Sequence, residues 1–363
     1  MLIQMLLLST QLFAAQLVIK IGQASPLTGA QALLGKDNEN GVKLAIEEVN
    51  AGGLKIGNLP AKIELLSEDD QADPRTATLV AQKFVDKQVQ GVIGHLNSGA
   101  TIPASKIYHD AGIVQISPSA TAIAYTAQGF NTAFRVMTND AQQGAVLAHY
   151  ATQQLHAQKI AIIDDRTAYG QGLADEFEKK IKLAGATLVA REYTNDKAID
   201  FTAILTTIKG KKPDIVFFAG MTPQAAPMRR QFVALQLKAH FLSADGAKTP
   251  EFIKLAGKAA EGVIASSPGM EIAKTPAGQA FATKFEKKFG KIQNYAPYAY
   301  EATLTLIAAM KAANSADPRK YLPFLSKIKR QGVTGEIAFD AKGDIQGGKV
   351  TLYHVHHGIW QAL

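Results

Sequence analysis

The sequence predicts an α/β fold of two doubly wound, mainly parallel lobes, and three observations carry that prediction. Short apolar runs bounded by glycine alternate with helical patterns along most of the chain. The alternation recurs at a constant offset of 126 residues, with Asp70, Gly94 and Ser117 reappearing as Asp196, Gly220 and Ser243. The 363 residues are long for one domain, and 47% of them are hydrophobic, enough to fill two cores.

Taken in order, residues 17–22 read as a strand. Residues 37–49 read as a helix with Val42, Ala45, Ile46 and Val49 on one face, stopped by Asn50-Ala-Gly-Gly53, after a long loop over 22–36. Residues 61–66 are a strand, and Asp73-Pro74 supplies a cap and a first-turn proline for a helix ending near Lys87. Gly91 to Gly94 is a buried strand, 101–110 a helix and 113–116 the next strand. The plan then repeats as strand 159–163, helix 172–184, strand 186–193, helix 200–209, strand 214–219, helix 223–235 and strand 240–243. After Pro268 it changes to helices 276–289, 297–313 and 318–329, then strands 335–339 and 348–357 joined by the turn Asp340-Ala-Lys-Gly343. These last elements are too few for a third doubly wound domain, so they complete the first two, and the chain crosses between lobes more than once. The division expected is 17–138 plus 269–343 for one lobe and 139–268 plus 344–363 for the other.

The repeat also points to a site. Two hydroxyl-rich turns, His95 to Gly99 and Ser117-Pro-Ser-Ala-Thr121, follow neighbouring strands, where open α/β sheets place ligands. Ser98 and Thr121 supply hydroxyls, and nearby helix starts supply N–H groups that favour an anion. Under the offset Ser119 maps onto Asp245 and His95 onto Met221. Facing lobes then set a carboxylate opposite an anion clamp, the arrangement an α-amino acid needs. The bland alternative is that these Ser, Thr and Asp-Gly residues only cap turns.

Composition narrows the classes. There is no cysteine, hence no disulfide and no thiolate chemistry, and no cofactor is implied. The formal charge of +8 is dispersed over short clusters such as Lys179-Lys180-Ile-Lys182, which lack interleaved aromatics, so a nucleic-acid groove is not expected. No G-x-G-x-x-G, G-x-x-x-x-G-K-[ST] or G-x-S-x-G is present, which leaves an enzyme little support. The acid pairs Asp69-Asp70 and Asp164-Asp165 read as caps or hinge groups. His354, His356 and His357 form one cluster on a terminal strand, and exposed histidines are expected over a metal site. Residues 1–16 read as an export signal, apolar with small residues at Ala14-Ala15 but with no Lys or Arg ahead of them, so a shortened start fits; a buried first helix is the alternative.

The chain resembles the leucine/isoleucine/valine-binding proteins, periplasmic receptors of branched-chain amino acid ABC importers. The resemblance rests on Leu27-Thr-Gly29, Gly41-Val-Lys-Leu-Ala45, Asn50-Ala-Gly-Gly53, Asp69-Asp70 with Asp73-Pro74, and Val92-Ile-Gly-His95. It continues through Pro103-Ala-Ser105, Pro118-Ser-Ala-Thr121, Tyr169-Gly-Gln-Gly172 and Phe339-Asp-Ala-Lys-Gly-Asp344. It implies two Rossmann-like lobes joined by three crossovers (a type I periplasmic binding protein), closing on an apolar amino acid and docking as a monomer on permease transmembrane subunits. It further implies that Ser98 and the turn Ser119-Ala120-Thr121 hold the ligand carboxylate, and that this turn and Asp245 hold the ammonium. Leu34, Tyr169, Met221 and Tyr295 match side-chain pocket positions. Three departures stand out: Asp245 replaces a glutamate, Leu34 an aromatic residue and Met221 a tyrosine. The family's disulfide positions match Ala72 and Asn97. A soluble amide or amino-acid sensor of the same fold is the alternative function.

Overall fold

The computed structural model describes residues 16–363, so the apolar segment 1–15 read as an export signal lies outside the described residues. The first half runs β1 (Leu17–Ser25), α1 (Ala32–Ala51), β2 (Lys55–Ile56), β3 (Leu59–Asp69), α2 (Pro74–Asp86), β4 (Gly91–Gly94), α3 (Ser98–Asp110), β5 (Gln115–Ser117), α4 (Ala124–Ala127) and β6 (Ala133–Arg135). The second runs α5 (Asp140–His149), β7 (Lys159–Asp164), α6 (Ala168–Leu183), β8 (Thr187–Tyr193), α7 (Thr202–Lys211), β9 (Ile215–Ala219), α8 (Thr222–Ala234), β10 (His240–Ser243), α9 (Pro250–Ala256) and β11 (Ile264–Pro268). Then come α10 (Pro276–Phe289), α11 (Ala296–Ala312), α12 (Pro318–Leu325), β12 (Lys329–Gly332), β13 (Gly335–Ala338), β14 (Val350–His356) and β15 (Ile359–Ala362).

These strands form two large sheets. One has the order β2-β3-β1-β4-β5-β6 and the other β15-β14-β11-β10-β9-β7-β8. Matching β1 to β7, β3 to β8, β4 to β9, β5 to β10 and β6 to β11 gives both the same order, so the 126-residue repeat is one topology used twice. The central strands are parallel and their residues are covered on both faces, which is why β4 and β9 are apolar throughout rather than alternating. The offset holds from the end of β5 to that of β10, is one residue out from β4 to β9 and is lost from β1 to β7, and α8 starts two residues ahead of the place that α3 predicts, where the loop before it is one residue shorter.

Several elements differ from the sequence expectation. The loop after the first strand is short, since β1 continues to Ser25 and α1 begins at Ala32. No pattern gave β6, α5, β11 or α9, although α5 carries a capping box in which Asn139 and Gln142 bond each other's backbone. The helix expected over 318–329 ends at Leu325. Beyond it Arg330 pairs with the buried Glu301 of α11, which draws 329–332 into a strand. That strand, β12, pairs with β13 in a separate hairpin, so the strands expected at 335–339 and 348–357 are not partners. Instead β14 runs antiparallel along β11 and turns back as β15.

Three segments pass between the sheets, after β6, after β11 and after β13. They lie side by side: Arg135 N donates to Gly343 O at 3.0 Å, and Gly269 N to Lys349 O at 2.5 Å. Arg135 is fully buried and binds Asp344 of the third segment through Nε at 2.5 Å. Thr126 Oγ1 and Asn139 Nδ2 also donate to Asp344, at 2.9 and 3.2 Å.

Helix α11 packs against α1, and Asp37 of α1 fixes its start. The Asp37 carboxylate accepts from the N–H groups of Gln293, Asn294, Tyr295 and Ala296, at 2.9, 3.0, 2.7 and 2.8 Å. An acid inside one helix thus caps another, where the macrodipole favours it. Burial pushes this carboxyl up from its ordinary range, and the four N–H groups oppose that. Asp37→Ala orphans those donors in a buried setting, at a cost of about 3 kcal/mol. Denaturant unfolding midpoints measure it, with Asp37→Asn expected to recover part of the loss; a loss under about 1 kcal/mol for the alanine variant means that the cap is not what fixes α11.

Candidate functional site

A cleft of about 330 Å³ opens between the carboxyl ends of the two sheets. Leu96, Ser98, Gly99 and Ser119 line it from the first sheet's loops, and Tyr169, Met221 and Asp245 from the second. Tyr295, the residue before α11, reaches it from the crossover side.

One wall is built to receive an anion. Ser98 is the first residue of α3, and neither its N–H nor that of Gly99 has an acceptor among the described residues. Ser98 Oγ accepts from Ala122 N at 3.2 Å. Ser119 Oγ donates to Leu96 O at 3.1 Å and accepts from Asn38 Nδ2 at 3.2 Å. Beneath them, His95 ties the two turns together. Its carbonyl accepts from Ser117 Oγ at 3.0 Å and Thr101 Oγ1 at 3.2 Å, while its ring meets Asp70 at 2.7 Å and Tyr108 at 3.0 Å. Gly94 lets this turn approach β1, since a Cβ there would stand 2.4 Å from Ala24 O at a φ of +140°.

The opposite wall is acidic. Asp245 Oδ1 accepts from Gln143 Nε2 and from Tyr169 OH, each at 2.9 Å, and Oδ2 accepts from Tyr295 OH at 2.8 Å. Asn294 Nδ2 donates to Asp245 O at 3.0 Å, so the second sheet's acid is held by residues entering α11. Gly246 keeps the turn tight, because a Cβ would stand 2.7 Å from Met221 Sδ. Burial pushes Asp245 up from the usual carboxylate range, opposed by the Gln143, Tyr295 and Tyr169 bonds. Behind it lies Asp140, the first residue of α5, fully buried and with both carboxyl oxygens lacking a hydrogen-bond partner among the described residues. Burial, then the charge of Asp245, push Asp140 up to about 8. Neither acid has an ion-pair partner among the described residues. Two neighbouring buried acids without a cation call for a proton or for a cationic ligand.

Of the residues singled out in the sequence, Ser98, Ser119, Tyr169, Met221, Asp245 and Tyr295 share the cleft wall. Ala120, Thr121 and Leu34 stand back from it. Ala120 N donates to Ser117 Oγ at 2.9 Å and its carbonyl accepts from Arg135 at 2.8 Å, so both backbone groups are engaged. Thr121 is fully buried, its carbonyl accepting from Asp140 N at 2.9 Å. Leu34 is buried in the core beneath. Ala72 and Asn97 both line the cleft, joined by Gln31, Arg166 and Asp196 at the wall. Asp140 and Gln143 escaped the sequence reading because no element was recognised there; the capping box at Asn139 was the available signal. The acid pairs are turn caps: Asp164 and Asp165 accept from Arg166 N and Thr167 N, each at 3.0 Å. His356 contacts Glu261 at 3.4 Å, and among the described residues no group of His, Asp or Glu is placed to hold a metal ion.

The family model described as periplasmic binding protein matches residues 18–357. The chain is 38% identical over 331 residues to a Leu/Ile/Val-binding protein homolog of Brucella suis, covering 90% of this chain and 87% of that one. It is 33% identical to a leucine-, isoleucine-, valine-, threonine- and alanine-binding protein of Pseudomonas aeruginosa, covering 93% and 90%. Among solved structures, a branched-chain amino acid transporter substrate-binding protein of Streptococcus pneumoniae in complex with isoleucine superposes with a TM-score of 0.87 at 26% identity, over 95% of this chain and 99% of that one.

The environment of Asp140 sets a pH signature. Between 3.8 and about 8 the folded chain holds a proton that the unfolded chain releases, so this group's contribution to stability falls as pH rises through that window. Asp140→Asn removes the effect. The variant's advantage over the parent is expected to grow from about pH 5 to about pH 8, read as denaturation midpoints. A difference that does not change with pH excludes a protonated acid here.

Proposed function

The chain belongs to the periplasmic binding protein family and has its type I fold, and from that premise we propose that it is the extracytoplasmic substrate-binding component of an ABC importer for an aliphatic L-amino acid. Its family consists of substrate-binding proteins rather than enzymes. The observation that carries the reading is the pairing within one cleft of an anion-receiving helix start at Ser98 with the cation-seeking acid Asp245, backed by Asp140 outside the wall. Only a ligand with both charges satisfies both walls. Ser98 and Gly99 take the carboxylate through N–H groups that have no acceptor among the described residues, and Ser119 joins them by turning its hydroxyl from Leu96 O to the ligand; Asp245, with Asp140 behind it, takes the ammonium. The side chain faces Leu96, Ala72, Pro74 and Met221, an apolar lining that suits a branched aliphatic group.

Residues 17–138 with 269–343 form one moving body in this reading, and 139–268 with 344–363 the other, a division supported by sheet membership. The ligand stabilises the closed form only as far as it binds that form better, and the contacts of Tyr295 and Asn294 with Asp245 are those a closed form makes. The closed monomer then docks on the permease, after export to the periplasm. The relatives named for leucine, isoleucine and valine support the substrate class.

Calorimetric titration with L-leucine tests the assignment. Asp245→Ala is expected to weaken binding about a hundredfold, while its denaturation midpoint moves far less. Equal affinity in parent and variant refutes the clamp. A second measurement follows from the raised acids. An arriving ammonium favours their charged forms, so binding near neutral pH releases protons, and the apparent heat varies with the ionisation enthalpy of the buffer.

A further inference from the structure

A second cavity, of about 590 Å³, backs onto the first. Asn294 lines it and is hydrogen-bonded to the Asp245 carbonyl of the first cleft. Its walls come from α9 and β15 on one side, α10 and the start of α11 on the other, and the segment after β11 between them. The lining is mainly apolar and aromatic, with Tyr298, Tyr353 and Trp360 converging. Cations outnumber anions on it, Lys248, Lys254 and Lys291 against Glu286.

Lys248 is the unusual member. It is partly buried, and among the described residues its ammonium makes no hydrogen bond and no ion pair. It rests 4.3 Å from the centroid of the Tyr353 ring. Of the acids that face it, Asp37 caps α11, and Glu271 pairs with the exposed Lys274 at 2.8 Å while its Oε2 makes no hydrogen bond among the described residues. A desolvated, unpaired ammonium beside aromatic faces is costly unless an anion joins it. Lys254 and Lys291 are exposed at the mouth, so a single deep charge is available.

We propose that this cavity binds a small aromatic monocarboxylate, with the carboxylate on Lys248 and the ring against Tyr298, Tyr353 and Trp360. The volume suits a ligand of this size, and the one deep cation matches one anionic group. Burial pulls Lys248 down to about 8, opposed by Asp37 and Glu271. An anion on Lys248 restores its charge, so affinity declines as pH rises above that value. Both lobes supply walls, and the site is separate from the amino-acid cleft.

Trp360 is the chain's one tryptophan, which makes it a direct reporter of occupancy. Phenylacetate is expected to change its emission saturably, and to do so equally with L-leucine saturating. The neutral isostere phenylacetamide gives no saturable change. Lys248→Met weakens phenylacetate on the order of tenfold or more while keeping the parent's denaturation midpoint, and Ala282→Phe, which fills the cavity from α10, weakens it as well. The proposal fails if phenylacetate gives no saturable change, if phenylacetamide binds as tightly, if Lys248→Met retains parental affinity, or if leucine displaces the probe. The lysine and amide measurements are made without any amino acid, so they decide the question whether or not leucine occupies the first cleft.

Discussion

The carboxylate of Asp245 is the point on which the cleft depends. It is buried, carries three side-chain donors and has no cation of its own among the described residues. Its donors come from α5, α6 and the entry to α11, so one side chain fixes the relative position of three elements. A buried charge is tolerated only where hydrogen bonds replace its lost water, and that requirement recruits Gln143, Tyr169 and Tyr295 to one place. The same requirement leaves the site short of positive charge, a deficit deepened by Asp140. The acids leave an electrostatic balance that a proton or a cationic group would complete.

Around that point stand two further buried charges with structural duties. Asp37 caps α11 from the neighbouring helix and so sets where Asn294 and Tyr295 enter. Arg135 holds the carbonyls of Ala120 and Ala122 and ties them to Asp344, at 2.8, 3.0 and 2.5 Å. The turn after β5 is therefore braced from the segments that pass between the sheets. Any rotation of one sheet against the other pivots close to the residues that shape the anion-receiving wall. The contact of Asn294 with Asp245 places the second cavity against the same pivot.

Much of the fold was legible because its rules are local. Asp73-Pro74 announces α2 with a side-chain cap and a first-turn proline, and Asp73 indeed accepts from Thr76 N at 2.7 Å. Buried parallel strands such as β4 and β9 are apolar from end to end, and glycines mark their limits. The doubled spacing exposes the repeat and maps Ser119 onto Asp245. Local rules failed where a distant partner decides. The segment 329–332 is strand where it pairs with β13 and Arg330 reaches Glu301, and α1 starts early where Ser25 Oγ at the end of β1 donates to Gly35 O at 2.9 Å. Nothing near Asp140 in the sequence says that it will be buried beside Asp245, and nothing near Leu34 says that it will turn into the core.

By itself the sequence determined the α/β class and the two matched halves, and it raised the pairing of a hydroxyl-rich turn with a carboxylate as one of two readings, turn caps being the other. Periodicity, caps and turn residues act over a few positions, so they can be read in one dimension. The tertiary structure alone decided which of those residues reach the cleft. It engaged both backbone groups of Ala120, buried Thr121 away from the cleft wall, added Asp140 and Gln143, and left Lys248 without a partner among the described residues beside Tyr353. Solvation is the physical reason. Whether a polar group is paired, protonated or waiting for a ligand depends on what surrounds it in space, and around Asp245 those surroundings come from residues 50, 76 and 102 positions away, Tyr295, Tyr169 and Gln143.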